Sequence, residues 1–223
     1  MGLILNLETA TTNCSVSLAR NGEVIAMKEN NTPNYSHAEQ LHLFIAECLE
    51  EANVSLSELK AVAVSKGPGS YTGLRIGVSA AKGLCFSLDV PLISVATLTS
   101  MASQAKGAYD YIIPVLDARR MEVYSAVFDG DLTQIRNTEA EIIDLHSFDS
   151  FTKCKTVHIL GSGAQKIKET ISGSLISFDT ACVPSSKEMA LLSHQKYLKK
   201  DFEDVAYFEP YYLKDFMLQT KKK

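Results

Sequence analysis

The sequence predicts an α/β chain of two similar domains, and three observations carry the prediction. Of its 223 residues 46% are hydrophobic, enough for one core or two small ones. Its first thirty residues alternate short apolar runs with turn residues, as an antiparallel meander does. The same pattern begins again near residue 112, after a plausible hinge at Lys106-Gly107-Ala108. Two halves that open on a meander and continue into alternating helices and strands differ from a doubly wound Rossmann sheet, which lacks the opening hairpins. The boundary is placed so that residues 1–105 form an N-terminal domain and 106–223 a smaller C-terminal one.

In order, residues 3–7 and 15–19 read as strands, and Asn21-Gly22 as a two-residue turn into a third strand, 23–27. Ser36 stands three residues before Glu39, the capping-box spacing. Leu41, Phe44, Ile45, Cys48, Leu49 and Ala52 then give a helical apolar stripe, with the helix reaching about Glu51. Residues 59–65 form a buried-type strand, 66–70 a glycine-rich loop, and 71 to about 87 a second helix. Pro91 restarts a short strand, 92–95, before a helical stretch at 97–104. The second half repeats the opening with strands at 112–116 and 122–128 around a turn at 117–120. It continues with a strand at 156–160, the turn Gly161-Ser162-Gly163, a helix at 164–171, a helix from Ser185 or Ser186 to Leu198, and a final segment, 207–217. That last segment either packs back on the first domain or extends towards a partner.

Composition excludes several classes. Five cysteines, odd in number, scattered and without a CxxC pair, suggest neither a disulfide framework nor a zinc knuckle, and a reducing cytoplasm fits them best. The N-terminal apolar run is broken by Asn6 and ended by Glu8, too short for a signal peptide or membrane span, so no membrane association is expected. A net charge of -4 and a pI near 5.8 argue against a chain that grips a phosphate backbone alone. The one basic cluster, 221–223, reads as a solvated tail.

The strongest local signal is the glycine-rich stretch from Lys66 to Gly77 between a strand and a helix. Such a turn aims backbone N–H groups at an anion or simply bends tightly, and spacing leaves both readings open. It is no P-loop, because no Lys-Ser or Lys-Thr follows a glycine at the needed distance, and Gly67, Gly69 and Gly73 are spaced one residue too wide for a dinucleotide fingerprint. The helix that follows is apolar or small all round, so it must be covered on two sides. Gly73, Gly77 and Ala81 are expected to admit a partner's helix; the alternative is a central helix in a single core. His37 and His42 stand five residues apart, about 140° around a helix, and cannot share a metal. No nucleophile elbow, metalloprotease helix or Cys-His pattern appears.

The turns where this architecture would hold phosphate, Glu8 to Ser15 and Asp117 to Met121, contain no glycine to let a phosphate approach. Independent ATP hydrolysis is therefore not expected, and Gly161-Ser162-Gly163-Ala164 alone keeps a small-residue turn of the kind used beside adenosine. Glu8 and Asp117 are read as remnants or hydrogen-bond anchors of their turns, or as magnesium holders if the chain is an enzyme.

With these segments in view, the chain resembles the TsaB (YeaZ) family in 3–11 (LILNLETAT), 36–41 (SHAEQL), 66–84 (KGPGSYTGLRIGVSAAKGL), 114–127 (PVLDARRMEVYSAV), 160–164 (LGSGA) and 210–213 (PYYL). The resemblance implies two actin-like domains of the ASKHA, ribonuclease H-like class. It also implies a non-catalytic subunit that binds and activates a TsaD-type threonylcarbamoyltransferase on tRNA, with a TsaE-type ATPase as third member and tRNA reached only through the complex. TsaD-like chains place two metal-binding histidines four residues apart where this one has Thr97 and Met101, so no catalytic residue, metal or cofactor is expected. The family's paralogues are thought to pair through their first two helices. The implied partner surface comprises His37, Gln40, Leu41, Phe44, Gly73, Ile76, Gly77, Ala80 and Leu84, which would serve for a homodimer when the chain is alone. The competing readings are an independent actin-fold ATPase or phosphotransferase and a small-ligand binder using residues 67–70.

Overall fold

The computed structural model describes residues 2–32 and 36–214. Strands β1 (Leu3–Glu8), β2 (Asn13–Arg20) and β3 (Glu23–Asn31) form the opening meander, followed by α1 (His37–Glu51), β4 (Ala61–Gly67), α2 (Tyr71–Leu88), β5 (Leu92–Ala96) and α3 (Thr97–Ala102). The second half comprises β6 (Tyr111–Asp117), β7 (Glu122–Asp129), β8 (Gln134–Ile142), a short α4 (Asp149–Thr152), β9 (Val157–Leu160), α5 (Ala164–Thr170), β10 (Ile176–Asp179) and α6 (Ser186–Lys199). The sheets run β3-β2-β1-β4-β5 and β8-β7-β6-β9-β10. In each, the first three strands are antiparallel and the last two join in parallel. The duplication expected from the repeated meander is therefore present strand for strand, including β8 and β10, which the sequence reading passed over.

Alternation along the central strands decides what packs where. In β1, Leu3, Leu5 and Leu7 join Cys14, Val16 and Leu18 of β2 in a core with Leu41, Ile45, Cys48 and Leu49 of α1 and Val78, Ala81 and Cys85 of α2. Ile4 of β1 instead joins Ala61, Ala63, Ile93 and Val95 beneath Met189 of α6. The polar face of β2 points the same way: Ser15 Oγ lies 2.8 Å from Ser186 Oγ, Ser17 Oγ donates to the Ser186 carbonyl at 2.9 Å, and Ser193 Oγ donates to Asn6 Oδ1 at 2.6 Å. Buried hydroxyls are tolerable there because they satisfy one another.

Two expectations need correction. Helix α6 lies within the residues assigned to the second domain, yet it packs on the first sheet and gives it a third layer. Ser36 is the N-cap of α1 but makes no side-chain capping bond; its backbone (φ -110°, ψ 18°) departs from the extended geometry that aims a cap hydroxyl at the helix amides. Helix α3 leaves the first sheet and places Leu98, Met101 and Ala102 against Ile112, Leu116, Ala126, Phe128 and Leu160 of the second. Beyond α6 the chain doubles back: the Glu203 N–H donates to the Leu92 carbonyl at 2.9 Å, and Tyr211 N–H to that of Lys66 at 2.7 Å. The described part of the final segment thus straps the first domain, while 215–217 lie outside the described residues. Among the described residues no helix is long and apolar enough to cross a membrane.

Candidate functional site

The turn after β1 is closed by its own chain. Glu8 is fully buried, and its Oε1 accepts from the Ala10 N–H at 2.6 Å and from Ser65 Oγ at 2.8 Å. Burial pushes its carboxyl up to about 7, against hydrogen bonds that favour the charged form. Ser70 N–H donates to the Ala10 carbonyl at 2.6 Å, and Thr9 Oγ1 to the Gly73 carbonyl at 2.8 Å. The glycines permit this contact. A β-carbon on Gly69 would stand 2.4 Å from Ala10 O, one on Gly73 2.2 Å from Thr9 O, and one on Gly77 2.3 Å from Thr9 Oγ1. Gly67 has a φ of +104°, and a β-carbon there would press on the Tyr211 carbonyl at 2.9 Å. Of the two readings left open for the glycine-rich loop, the structure shows the tight packing turn, whose Ser70 amide is spent on Ala10 rather than presented to a ligand.

Within the chain, helix α2 is covered on the sheet side and along one flank. Leu74, Val78, Ala81 and Cys85 are buried on the sheet side, and the C-terminal strap lies along another flank. Lys82 Nζ donates to the Ala206 and Phe208 carbonyls at 3.0 Å each, the Tyr71 and Tyr212 rings meet at 4.9 Å, and the Arg75 guanidinium lies 4.4 Å from the Tyr71 ring centre. What remains uncovered is a groove between α1 and α2, lined among others by Ala38, His42, Ile76, Ala80, Gly83 and Leu84. Elsewhere on the same two helices Leu43 is 60% and Phe86 86% exposed. Among the described residues nothing comes within 4 Å of where a β-carbon on Gly83 would stand, so their packing does not account for a glycine in mid-helix.

The expected partner surface divides in two. Ile76, Ala80 and Leu84 line this groove and are partly exposed, whereas Gln40 and Phe44, also partly exposed, lie on the β3 flank of α1, where Gln40 Oε1 accepts from Asn30 Nδ2 at 3.2 Å. His37, Leu41, Gly73 and Gly77 are buried within the chain. His37 Nε2 lies 2.7 Å from the Thr11 carbonyl, and desolvation lowers its pKa. The two glycines face Thr9 rather than open space, so Gly73 and Gly77 do not offer the close approach to a partner's helix that their size suggested. Ala38, His42 and Gly83 were passed over as members of this face. Helical spacing groups Ala38 with His42 and Gly83 with Ile76 and Ala80 once the side taken by the sheet is known.

In the second domain, Asp117 Oδ1 accepts from the Arg119 N–H at 2.6 Å and pairs with Lys166 Nζ at 2.7 Å, anchoring its turn as Glu8 anchors the other. Thr97 and Met101 are both fully buried, Met101 in the apolar cluster with Leu116 and Phe128. A β-carbon on Gly161 would stand 2.1 Å from the Val115 carbonyl, which accounts for the small-residue turn there by packing alone. No group of three or more His, Cys, Asp or Glu side chains that could hold a metal occurs among the described residues.

Two sheets of the same strand order, joined by α3 and backed by α6, define the two-domain actin-like class of α/β proteins. A family model described as TsaD, tRNA N6-adenosine threonylcarbamoyltransferase, matches residues 23–222. Within that group the chain belongs to the TsaB (YeaZ) family: it is 31% identical to the tRNA threonylcarbamoyladenosine biosynthesis protein TsaB of Escherichia coli, over 95% of this chain and 94% of that protein. The TsaB of Haemophilus influenzae is 28% identical over 95% of this chain and 93% of its own length. YeaZ from Pseudomonas aeruginosa shares the fold, with a TM-score of 0.84, 24% identity, and coverage of 96% of this chain and 100% of that one.

Proposed function

We propose that this chain is a non-catalytic subunit in the formation of threonylcarbamoyladenosine on tRNA, binding and activating a TsaD-type threonylcarbamoyltransferase through the α1–α2 face. The observation that carries the reading is the apolar groove floored by Ile76, Ala80 and Leu84, with Ala38 and His42 of α1 across it and Gly83 in its wall. Apolar surface of this kind, left open between two helices among the described residues, is what a partner's helix covers. The closed turn at Glu8 to Thr11 and the core position of Met101 support a role without chemistry of its own. In this reading the same face makes a homodimer when the chain is alone, a TsaE-type ATPase joins the larger assembly, tRNA is engaged through the complex, and the protein works in the cytoplasm.

The test is threonylcarbamoylation of tRNA by the transferase and the rest of its machinery with the chain present, absent, or carrying Ala80→Arg. Activity and co-elution that need the wild-type chain and are lost with the folded variant support an activating scaffold. Activity indifferent to the chain overturns it.

A further inference from the structure

The turn between β6 and β7 holds two arginines in a backbone region that side-chain-bearing residues disfavour. Arg119 (φ 73°) and Arg120 (φ 51°) are both left-handed, where glycine or asparagine is the ordinary choice; the β2–β3 turn of the same chain uses Asn21 and Gly22 at φ 55° and 87°. The turn is pinned by its backbone. Arg119 N–H donates to Asp117 Oδ1 at 2.6 Å, Ala118 N–H to the Glu122 carbonyl at 3.0 Å, and Glu122 N–H to the Arg119 carbonyl at 3.1 Å.

Its two carboxylates are already occupied, Asp117 by Lys166 at 2.7 Å and Glu122 by Lys214. Arg119 and Arg120 are exposed, and neither has an ion-pair partner among the described residues. In a chain of net charge -4, the tip therefore carries a local surplus of two guanidinium groups on a fixed frame. Exposed guanidinium forks on a hairpin tip suit the oxygens of a phosphodiester backbone, whereas a small nucleotide takes a concave site. Position agrees. Lys214 stands two residues from Tyr212, whose ring meets Tyr71 near Arg75, which lines the groove, so the C-terminal strap runs from the arginine turn to the side assigned to the transferase.

We propose that Arg119 and Arg120 contact phosphates of the tRNA held by the assembled complex. This rests on the function proposed above. The chain's acidic balance makes two such contacts too weak to hold RNA alone, and they add to whatever the partner supplies.

The experiment is a fluorescence-anisotropy titration of labelled substrate tRNA with the complex, wild type against Arg119→Asn/Arg120→Asn, from about 50 to 200 mM salt. Asparagine accepts the left-handed region, so the variant's Tm should equal or exceed that of wild type and its co-elution with the transferase should persist. The expected result is roughly tenfold weaker binding and a log K against log [salt] slope shallower by about 1.4–1.8, two phosphate contacts' worth. A co-eluting variant with unchanged affinity and slope overturns the proposal. A wild-type chain that fails to co-elute overturns the function proposed above instead. The contact, which rests on that function, then falls with it.

Discussion

Thr9 and Gly73 are in backbone-level contact: the Thr9 hydroxyl donates to the Gly73 carbonyl at 2.8 Å, and a β-carbon on Gly73 would stand 2.2 Å from the Thr9 carbonyl oxygen. The obstacle is main chain, which cannot rotate aside, so Gly73→Ala must displace α2 or the β1–β2 turn. Overpacking of this kind costs about 3 kcal/mol. Urea unfolding should show a lower midpoint at unchanged slope.

Gly77 and Ala80 lie one turn apart on α2 and should respond oppositely to arginine. At Gly77 the first added carbon meets Thr9 Oγ1 at 2.3 Å, so Gly77→Arg is expected to unfold or reorganise the first domain. At Ala80 the side chain borders the open groove, and the arginine stem can lie along it with its head in water. The Ala80→Arg variant should stay within about 1 kcal/mol of wild type by thermal unfolding while losing transferase co-elution. A Gly77→Arg chain as stable as wild type would falsify the packing described for Thr9.

Glu8 predicts a pH dependence with the sign opposite to that of a salt-bridged carboxylate. Its folded pKa, about 7, lies above the usual 4.5, so between those values the native state binds more protons than the unfolded one. Stability contributed by the protonated form is complete below about pH 4.5 and is lost as pH rises towards 7, by about 3 kcal/mol in all. Glu8→Gln keeps an oxygen for the Ala10 and Ser65 donors without a titrating proton. The difference in unfolding free energy between variant and wild type should therefore grow in the variant's favour from pH 5 to 8; a pH-independent difference would show that Glu8 titrates normally.

Lys82 clips the C-terminal strap to α2 through two carbonyls, those of Ala206 and Phe208. Lys82→Met keeps the apolar stem but removes both donors, at about 2 kcal/mol of local stability. Hydrogen exchange should report this as faster opening of the strap, roughly tenfold or more at the Tyr211 amide that donates to Lys66, with exchange in β1 and β4 unchanged.

The elements legible in the sequence were those with a strong local period or a turn residue. The helices at 37–51 and 71–88 announced themselves by apolar spacing, and the β2–β3 hairpin by Asn21-Gly22. Strand β8, reading QIRNTEAEI, sits at a sheet edge with both faces largely polar, so it has no hydrophobic alternation to detect, and β10 is only four residues long. The site was half legible for a similar reason. That α2 is apolar all round was visible, but whether a given small residue meets a partner, the strap or the Thr9 turn depends on contacts from far along the chain.

By itself the sequence determined that this is a duplicated α/β chain and that the turns at 8–15 and 117–121 lack glycine. These are properties of residue identity and local spacing; that Thr97 and Met101 stand where TsaD-like chains have a histidine pair came from the family resemblance. Only the tertiary structure decided that α6 completes the first domain, that the chain from Glu203 to Tyr212 straps α2, and that Gly73 and Gly77 look inward while Ala80, Gly83 and Leu84 look out. The physical reason is that neither a helix side nor a sheet face has an inside or outside until another element covers it, and here the strap on α2 and α6 on the back of the sheet come from more than a hundred residues further along the chain.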